Sequence, residues 1–134
     1  MEELVLALRK LEKAYKRLIQ ALEKYDAQEI DIALDASIQR FEFTFELSWK
    51  TIKRFAKYLG FEECNSPRSC IKLAYKLGWI SNQEQWLNLL EARNLTSHTY
   101  DLNTAWEVYE LIKSNHTAFK ELINHLHRLI KENS

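Results

Sequence analysis

The densest run of chemically capable side chains lies between Glu91 and Asp101, where Arg93, Asn94, Thr96, Ser97, His98, Thr99, Tyr100 and Asp101 crowd into one short stretch. An imidazole can move a proton near neutral pH, and a guanidinium can lay two parallel hydrogen bonds on an oxyanion. Arg93 and His98 are therefore the first candidates for chemistry. On an ideal helix, residues five apart differ in direction by about 140°, so these two would not converge if the helix ran on unbroken. Asn94 and His98, four apart, would share a face. Two arrangements can bring Arg93 and His98 together: the helix unwinds before His98, or a two-fold partner supplies the second copy of each across an interface, with a cleft on the dimer axis. The structural alternatives are ordinary. Arg93 could pair with Glu91 or Glu107, His98 could cap the helix end, Tyr100 could be a partly buried aromatic at a helix junction, and Asp101 could be an N-cap.

Gly-rich phosphate loops, the His-Glu-x-x-His zinc pattern and the nucleophile elbow are all missing from the sequence. Cys64 and Cys70, with five residues between them, match no common zinc ligand pair and are expected to be reduced thiols with packing roles. His125 and His127, two apart, face different directions on a helix, and His116 falls on an apolar stripe as a hydrogen-bonded core residue would. No metal and no cofactor is expected. Lys plus Arg equals Asp plus Glu at 19 each, so the molecule has no broad field to attract nucleic acid and any RNA contact must be local. Lys50, Lys53, Arg54 and Lys57, at i, i+3, i+4 and i+7, offer one such face, although a solvated outer surface would read the same way. No run of about 18 apolar residues is present, and the N-terminus alternates charge with Leu, so a cytoplasmic protein without membrane contact is expected.

The elements that must position these residues are helices. A chain of 134 residues suits one domain spanning 1–134, and 2 Gly with 1 Pro leave too few turn residues for many short strands. Leu4, Leu8, Leu11, Tyr15, Leu18, Leu22 and Tyr25 alternate spacings of four and three, which predicts a first helix over 2–26. A second starts near Gln28 or Glu29, carries Leu34, Ile38, Phe41, Phe45, Ile52, Phe55 and Leu59, and stops at Gly60. Phe43, Leu47 and Trp49 lie off its stripe, so it should touch two surfaces, the bundle interior and either a partner subunit or the short third helix. Ser66 and Pro67 open that third helix and Gly78 closes it. Ser81 with Glu84 reads as a capping box for a fourth, which fades near Ser97 or His98. Asp101 or Asn103 then caps one last long helix through Ala105, Tyr109, Ile112, His116, Phe119, Ile123, Leu126 and Ile130. The expected fold is all-α: an antiparallel up-and-down four-helix bundle with one additional short helix.

Residues 93–100, RNLTSHTY, resemble the R-x4-H-x-Y motif of HEPN proteins. IQRFEFTFELSWKTIK (38–53) and SPRSCIKLAYKLGWI (66–80) are similar to the nucleotidyltransferase substrate-binding subfamily of that group, and the likeness runs over nearly the whole chain. The resemblance implies a HEPN-like bundle that forms a homodimer and works with a minimal nucleotidyltransferase. It implies one of two roles: a toxin of metal-independent endoribonuclease type whose transferase partner is the antitoxin, or a non-catalytic subunit that holds substrate or nucleotide for the transferase. By the resemblance Arg93 and His98 are the ribonuclease pair, Tyr100 is the tyrosine that the partner modifies with AMP, and Asn94 and Asp101 are candidates to support His98. The chemistry suits the side chains. His98 would take the proton of a ribose 2′-hydroxyl as that oxygen attacks the adjacent phosphate, Arg93 would stabilise charge on the phosphoryl oxygens, and a 2′,3′-cyclic phosphate would result. AMP on Tyr100 would place a bulky anion where RNA phosphate must enter.

Overall fold

Leu4, Leu8, Leu11, Tyr15 and Leu18 stand one above another along α1 (Glu2–Lys24) and all are buried, as their spacing requires. The computed structural model describes residues 1–24 and 30–134; the expected end of the first helix, Tyr25 and the expected start of the second near Gln28 or Glu29 lie outside the described residues. α2 (Ile30–Tyr58) buries Leu34, Ile38, Phe41, Phe45, Ile52 and Phe55. Thr44, Ser48 and Thr51 are also buried on α2, and each hydroxyl donates to a backbone carbonyl three or four residues back, which spares it an unpaired polar atom.

The helix ends follow local chemistry. Gly60 and Gly78 adopt φ of +91° and +78°, and the N–H of Phe61 reaches the Ala56 carbonyl while that of Trp79 reaches the Ala74 carbonyl, both at 2.8 Å. These are the wrapped C-terminal turns that a left-handed residue permits. α3 (Pro67–Lys76) has Ser66 as its N-cap, with Ser69 completing a reciprocal box. α4 (Gln83–Leu95) starts one residue later than its expected cap. Asn82 accepts from the Gln85 N–H at 3.0 Å, while Ser81 is drawn off by Glu121, whose carboxylate takes the Ser81 N–H at 2.9 Å and its hydroxyl at 2.5 Å.

Two further expectations are corrected. The last helix is two, α5 (Leu102–Asn115) and α6 (Thr117–Glu132), divided at His116. His116 keeps right-handed helical torsions, so the apolar rhythm passes through the junction without a gap and does not reveal it. α5 packs on α4 and α2, α6 on α1. Cys64 and Cys70 are disulfide-bonded with Cα atoms 4.4 Å apart, not reduced thiols; the Asn65–Ser66 turn that caps α3 folds the two together, and both are buried.

One core joins all six helices among the described residues. Phe41, Phe45, Phe55, Trp86 and Phe119 are its largest fully buried side chains, and Trp86 meets Phe119 edge-on at 5.4 Å. The fold is the all-α, up-and-down bundle with the short α3 inserted between α2 and α4. None of the described helices is long and apolar enough to cross a membrane.

Candidate functional site

Trp86, Leu89, Leu90 and Ala92 bury α4 among α2, α3 and α5, and its last turn then emerges: Arg93 is half-buried and Asn94 exposed. The α-helix ends at Leu95 and a single 3₁₀ turn, Thr96–His98, follows. Hydroxyls brace this corner from inside. Thr96 donates to the Arg93 carbonyl at 2.7 Å, Thr99 to the Thr96 carbonyl at 3.0 Å, and Ser97 more loosely to the Asn94 carbonyl at 3.4 Å. The Asp101 N–H closes it on the His98 carbonyl at 3.1 Å. The Asp101 carboxylate is the N-cap of α5, accepting from the Asn103 N–H at 3.1 Å and the Thr104 hydroxyl at 3.3 Å. Asn94 Oδ1 accepts from Arg93 Nη1 at 3.4 Å. Neither Asn94 nor Asp101 bonds the His98 ring; what each supports is the corner and the guanidinium.

His98 and Tyr100 project from that corner into solvent, their rings edge to face with centroids 6.1 Å apart. Tyr100 is 86% exposed, so it is no partly buried junction aromatic. Arg93 turns the other way, toward α2. Its Nε and Nη2 both donate to Glu46 Oε1 at 2.9 Å, and the second oxygen of Glu46 accepts from Trp49 Nε1 at 3.0 Å. Glu46 takes the place that Glu91 or Glu107 was expected to fill. The pair is a third exposed on each side, which makes it a device for aiming the guanidinium more than a source of stability. Glu42, one turn earlier on α2, has its carboxyl pushed up from the usual range by burial and then by the Glu46 carboxylate.

The α-helix thus does end before His98, yet no hydrogen bond joins Arg93 to His98 within one chain. A 3₁₀ step turns about 120°, so tightening the last turn does not swing His98 back onto the face of Arg93. The corner presents one proton-transfer group and one reachable phenol, with a held cation a turn away.

A second cluster of titratable groups lies across the bundle. Tyr15 of α1 and His116, at the α5–α6 division, share a hydrogen bond of 3.2 Å beside a cleft of about 640 Å³ lined also by Lys16, Glu23 and Lys120. Burial lowers the His116 imidazole from its ordinary 6.5, against a smaller upward pull from Glu23, and burial raises the Tyr15 phenol. Among the described residues no group of three His, Cys, Asp or Glu side chains could hold a metal ion.

Residues 6–128 match the family described as nucleotidyltransferase substrate binding protein like. A curated relative, a probable ribonuclease HepT of Haemophilus influenzae, is 34% identical over 89 residues, which is 61% of this chain and 59% of that protein. The match therefore spans less than two thirds of the relative's length. Two solved structures share the fold. One, a Haemophilus influenzae protein described as revealing the fold of a substrate binding domain of a nucleotidyltransferase, superposes with a TM-score of 0.76 at 26% identity over 90% of this chain and 98% of its own. The other, from Thermus thermophilus, gives a TM-score of 0.78 at 28% identity over 87% of this chain and 98% of its own.

Proposed function

This chain belongs to the nucleotidyltransferase substrate-binding protein-like family, and from that membership we propose that it is a homodimeric subunit that works with a minimal nucleotidyltransferase, cuts RNA without metal through Arg93 and His98, and is silenced when its partner adenylylates Tyr100. The observation that carries the reading is the braced corner after α4, which holds His98 and Tyr100 ring to ring in solvent one turn beyond a guanidinium aimed by Glu46. The relative named a probable ribonuclease and the neighbour described as a nucleotidyltransferase's substrate binding domain support its two halves, the chemistry and the partner.

His98 accepts the proton of a ribose 2′-hydroxyl while the 2′-oxygen forms a bond to the adjacent phosphorus. The bond from phosphorus to the 5′-oxygen breaks, that oxygen takes a proton from water, the resulting hydroxide takes the proton held by His98, and a 2′,3′-cyclic phosphate remains. Arg93 donates to the phosphoryl oxygens as charge gathers on them. Because Arg93 and His98 of one chain face apart, the site is completed across a two-fold, each cleft taking the guanidinium from one subunit and the imidazole from the other. AMP on Tyr100, whose ring touches that of His98, sets a phosphate where the RNA phosphate would sit.

The test is RNA cleavage by purified protein with chelator present. His98→Ala is expected to lower the rate on the order of 100-fold or more without changing the unfolding midpoint, since the ring is exposed. If wild type and variant both leave RNA intact and bind the transferase equally, the chain is a non-catalytic subunit holding substrate or nucleotide. Mass spectrometry after incubation with transferase and ATP should find one AMP on Tyr100, and none on Tyr100→Phe.

A further inference from the structure

The face of the bundle where α1 and α2 lie side by side carries a charge that the composition hides. Two shallow depressions of about 300 and 400 Å³ run end to end along this seam, sharing Lys10 and Leu47 in their walls. Five cations line them: Lys10, Lys13 and Arg17 from α1, Lys50 and Arg54 from α2. Two carboxylates line them as well, Glu3 and Glu46, and Glu46 is already engaged by Arg93 and Trp49. In a chain whose charges sum to zero, this is a segregated basic track. Of the basic stripe on α2, Lys50 and Arg54 line the track.

Phe43 stands in the same wall with 56% of its surface exposed, so its ring is open to a ligand lying in the groove. Cations spaced along a groove with an exposed aromatic face among them are the two components that hold single-stranded nucleic acid: the cations follow the phosphates, and a base stacks on the ring. The track also leads somewhere. Glu46 lines it next to Leu47, where the two depressions meet, and also holds Arg93, so a strand lying in the seam passes beside the guanidinium of the proposed site.

We propose that the α1–α2 seam is the path by which single-stranded RNA enters, its phosphates on Lys10, Lys13, Arg17, Lys50 and Arg54 and one base on Phe43. The proposal rests on the reading of RNA as substrate. A second copy of the chain does not suit this face, because a two-fold contact would set the same five cations against themselves. An acidic protein surface is the competing occupant, and the experiment separates the two.

The probe is a fluorescent single-stranded oligoribonucleotide, with affinity measured by anisotropy over a salt series in the His98→Ala background so that the RNA stays whole. Each phosphate contact in a single strand contributes about 0.7 to the slope of log affinity against log salt. Replacing Lys10, Lys13 and Arg17 together by Gln is therefore expected to flatten the slope by about 2 and to weaken binding by on the order of tenfold or more near 0.1 M salt. Replacing the two lysines by Arg, with Arg17 kept, should preserve both. Phe43→Ala should weaken binding on the order of tenfold with the slope unchanged, since stacking releases no ions. Unaltered affinity and slope in the folded triple Gln variant overturn the path, as does a variant that keeps RNA and loses the transferase. If wild type fails to cut RNA while the His98→Ala chain binds it through the seam, the nuclease reading falls and the path stands. If wild type and the triple variant cut and bind RNA equally, the path falls and the nuclease stands.

Discussion

Glu46 decides what Arg93 can do, because one carboxylate oxygen receives both Nε and Nη2 while the other is fixed by the Trp49 indole. A guanidinium so held keeps its remaining N–H groups pointed and keeps little freedom to lose when an anion arrives. Glu46→Gln preserves an oxygen for Trp49 and removes the charge that holds Arg93. RNA cleavage is expected to fall on the order of tenfold in kcat with a smaller change in KM, whereas stability in urea should move by less than about 0.5 kcal/mol because the pair is a third exposed. A variant that cuts as fast as wild type would show that Arg93 needs no aiming. Arg93, His98 and Tyr100 stand out in the sequence as candidates because the motif they resemble is complete within eight consecutive residues. Glu46 is not, since it is 47 positions from Arg93 and meets it only through the register of α2 against α4, which neither helix's own periodicity encodes. Glu91 and Glu107 are nearer along the chain, and nearness along the chain is all that a sequence displays. Asp101 shows the same limit from the other side: its cap can be read, and its distance in role from His98 cannot.

Element by element, what is legible is what local chemistry controls. Gly60 and Gly78 take the left-handed torsions that end α2 and α3, and Ser66 with Pro67 starts α3, because each signal is complete within a few residues. Ser81 fails as a cap since Glu121, on another element, competes for it. The Cys64–Cys70 bond escapes a reading that weighs spacing for zinc and not for a turn that folds the chain back on itself. The division of α5 from α6 is hidden because its residues remain helical, yet it lets α5 follow α4 and α6 follow α1. His116 ties that division to α1 through Tyr15. Its folded-state pKa lies below the ordinary 6.5, so the neutral ring belongs to the fold and the unfolded chain takes up a proton first as pH falls. The stability it lends is therefore present above about 6.5 and is lost as pH drops through the folded value. Glu23 of α1 opposes this, and Lys16 and Lys120 share the cleft, but all three are common to wild type and variant. His116→Gln should be less stable than wild type by about 1 kcal/mol at pH 7.5, from the weakened bond to Tyr15, and the gap should close toward pH 5.5 in parallel urea titrations. A gap that widens on acidification would mean that the charged ring is the one the fold prefers.

For the whole molecule, the bundle holds its aromatic core on one set of faces and leaves two unlike surfaces outside: the basic seam of α1 and α2, and the corner after α4 where Tyr100 and Leu102 stand exposed beside His98. The seam repels its own copy, whereas the corner, with its mix of exposed ring and aliphatic groups, can meet another corner. If the proposed two-fold unites Arg93 of one subunit with His98 of the other, neither Arg93→Ala nor His98→Ala alone retains a complete site, but their mixture does. Co-expressed in equal amounts with different tags and allowed to pair at random, half of the dimers contain one chain of each kind. In such a dimer one cleft combines the intact Arg93 of one variant with the intact His98 of the other, and the second cleft lacks both. The mixture should then cut RNA at about a quarter of the wild-type rate, and tandem-purified mixed dimers at about half, while each variant alone stays near background. A site built within one chain predicts no recovery at any mixing ratio, because every chain then carries its own defect. Recovery thus depends on geometry alone, and it is the measurement by which two side chains that face apart in one subunit are shown to act together in two.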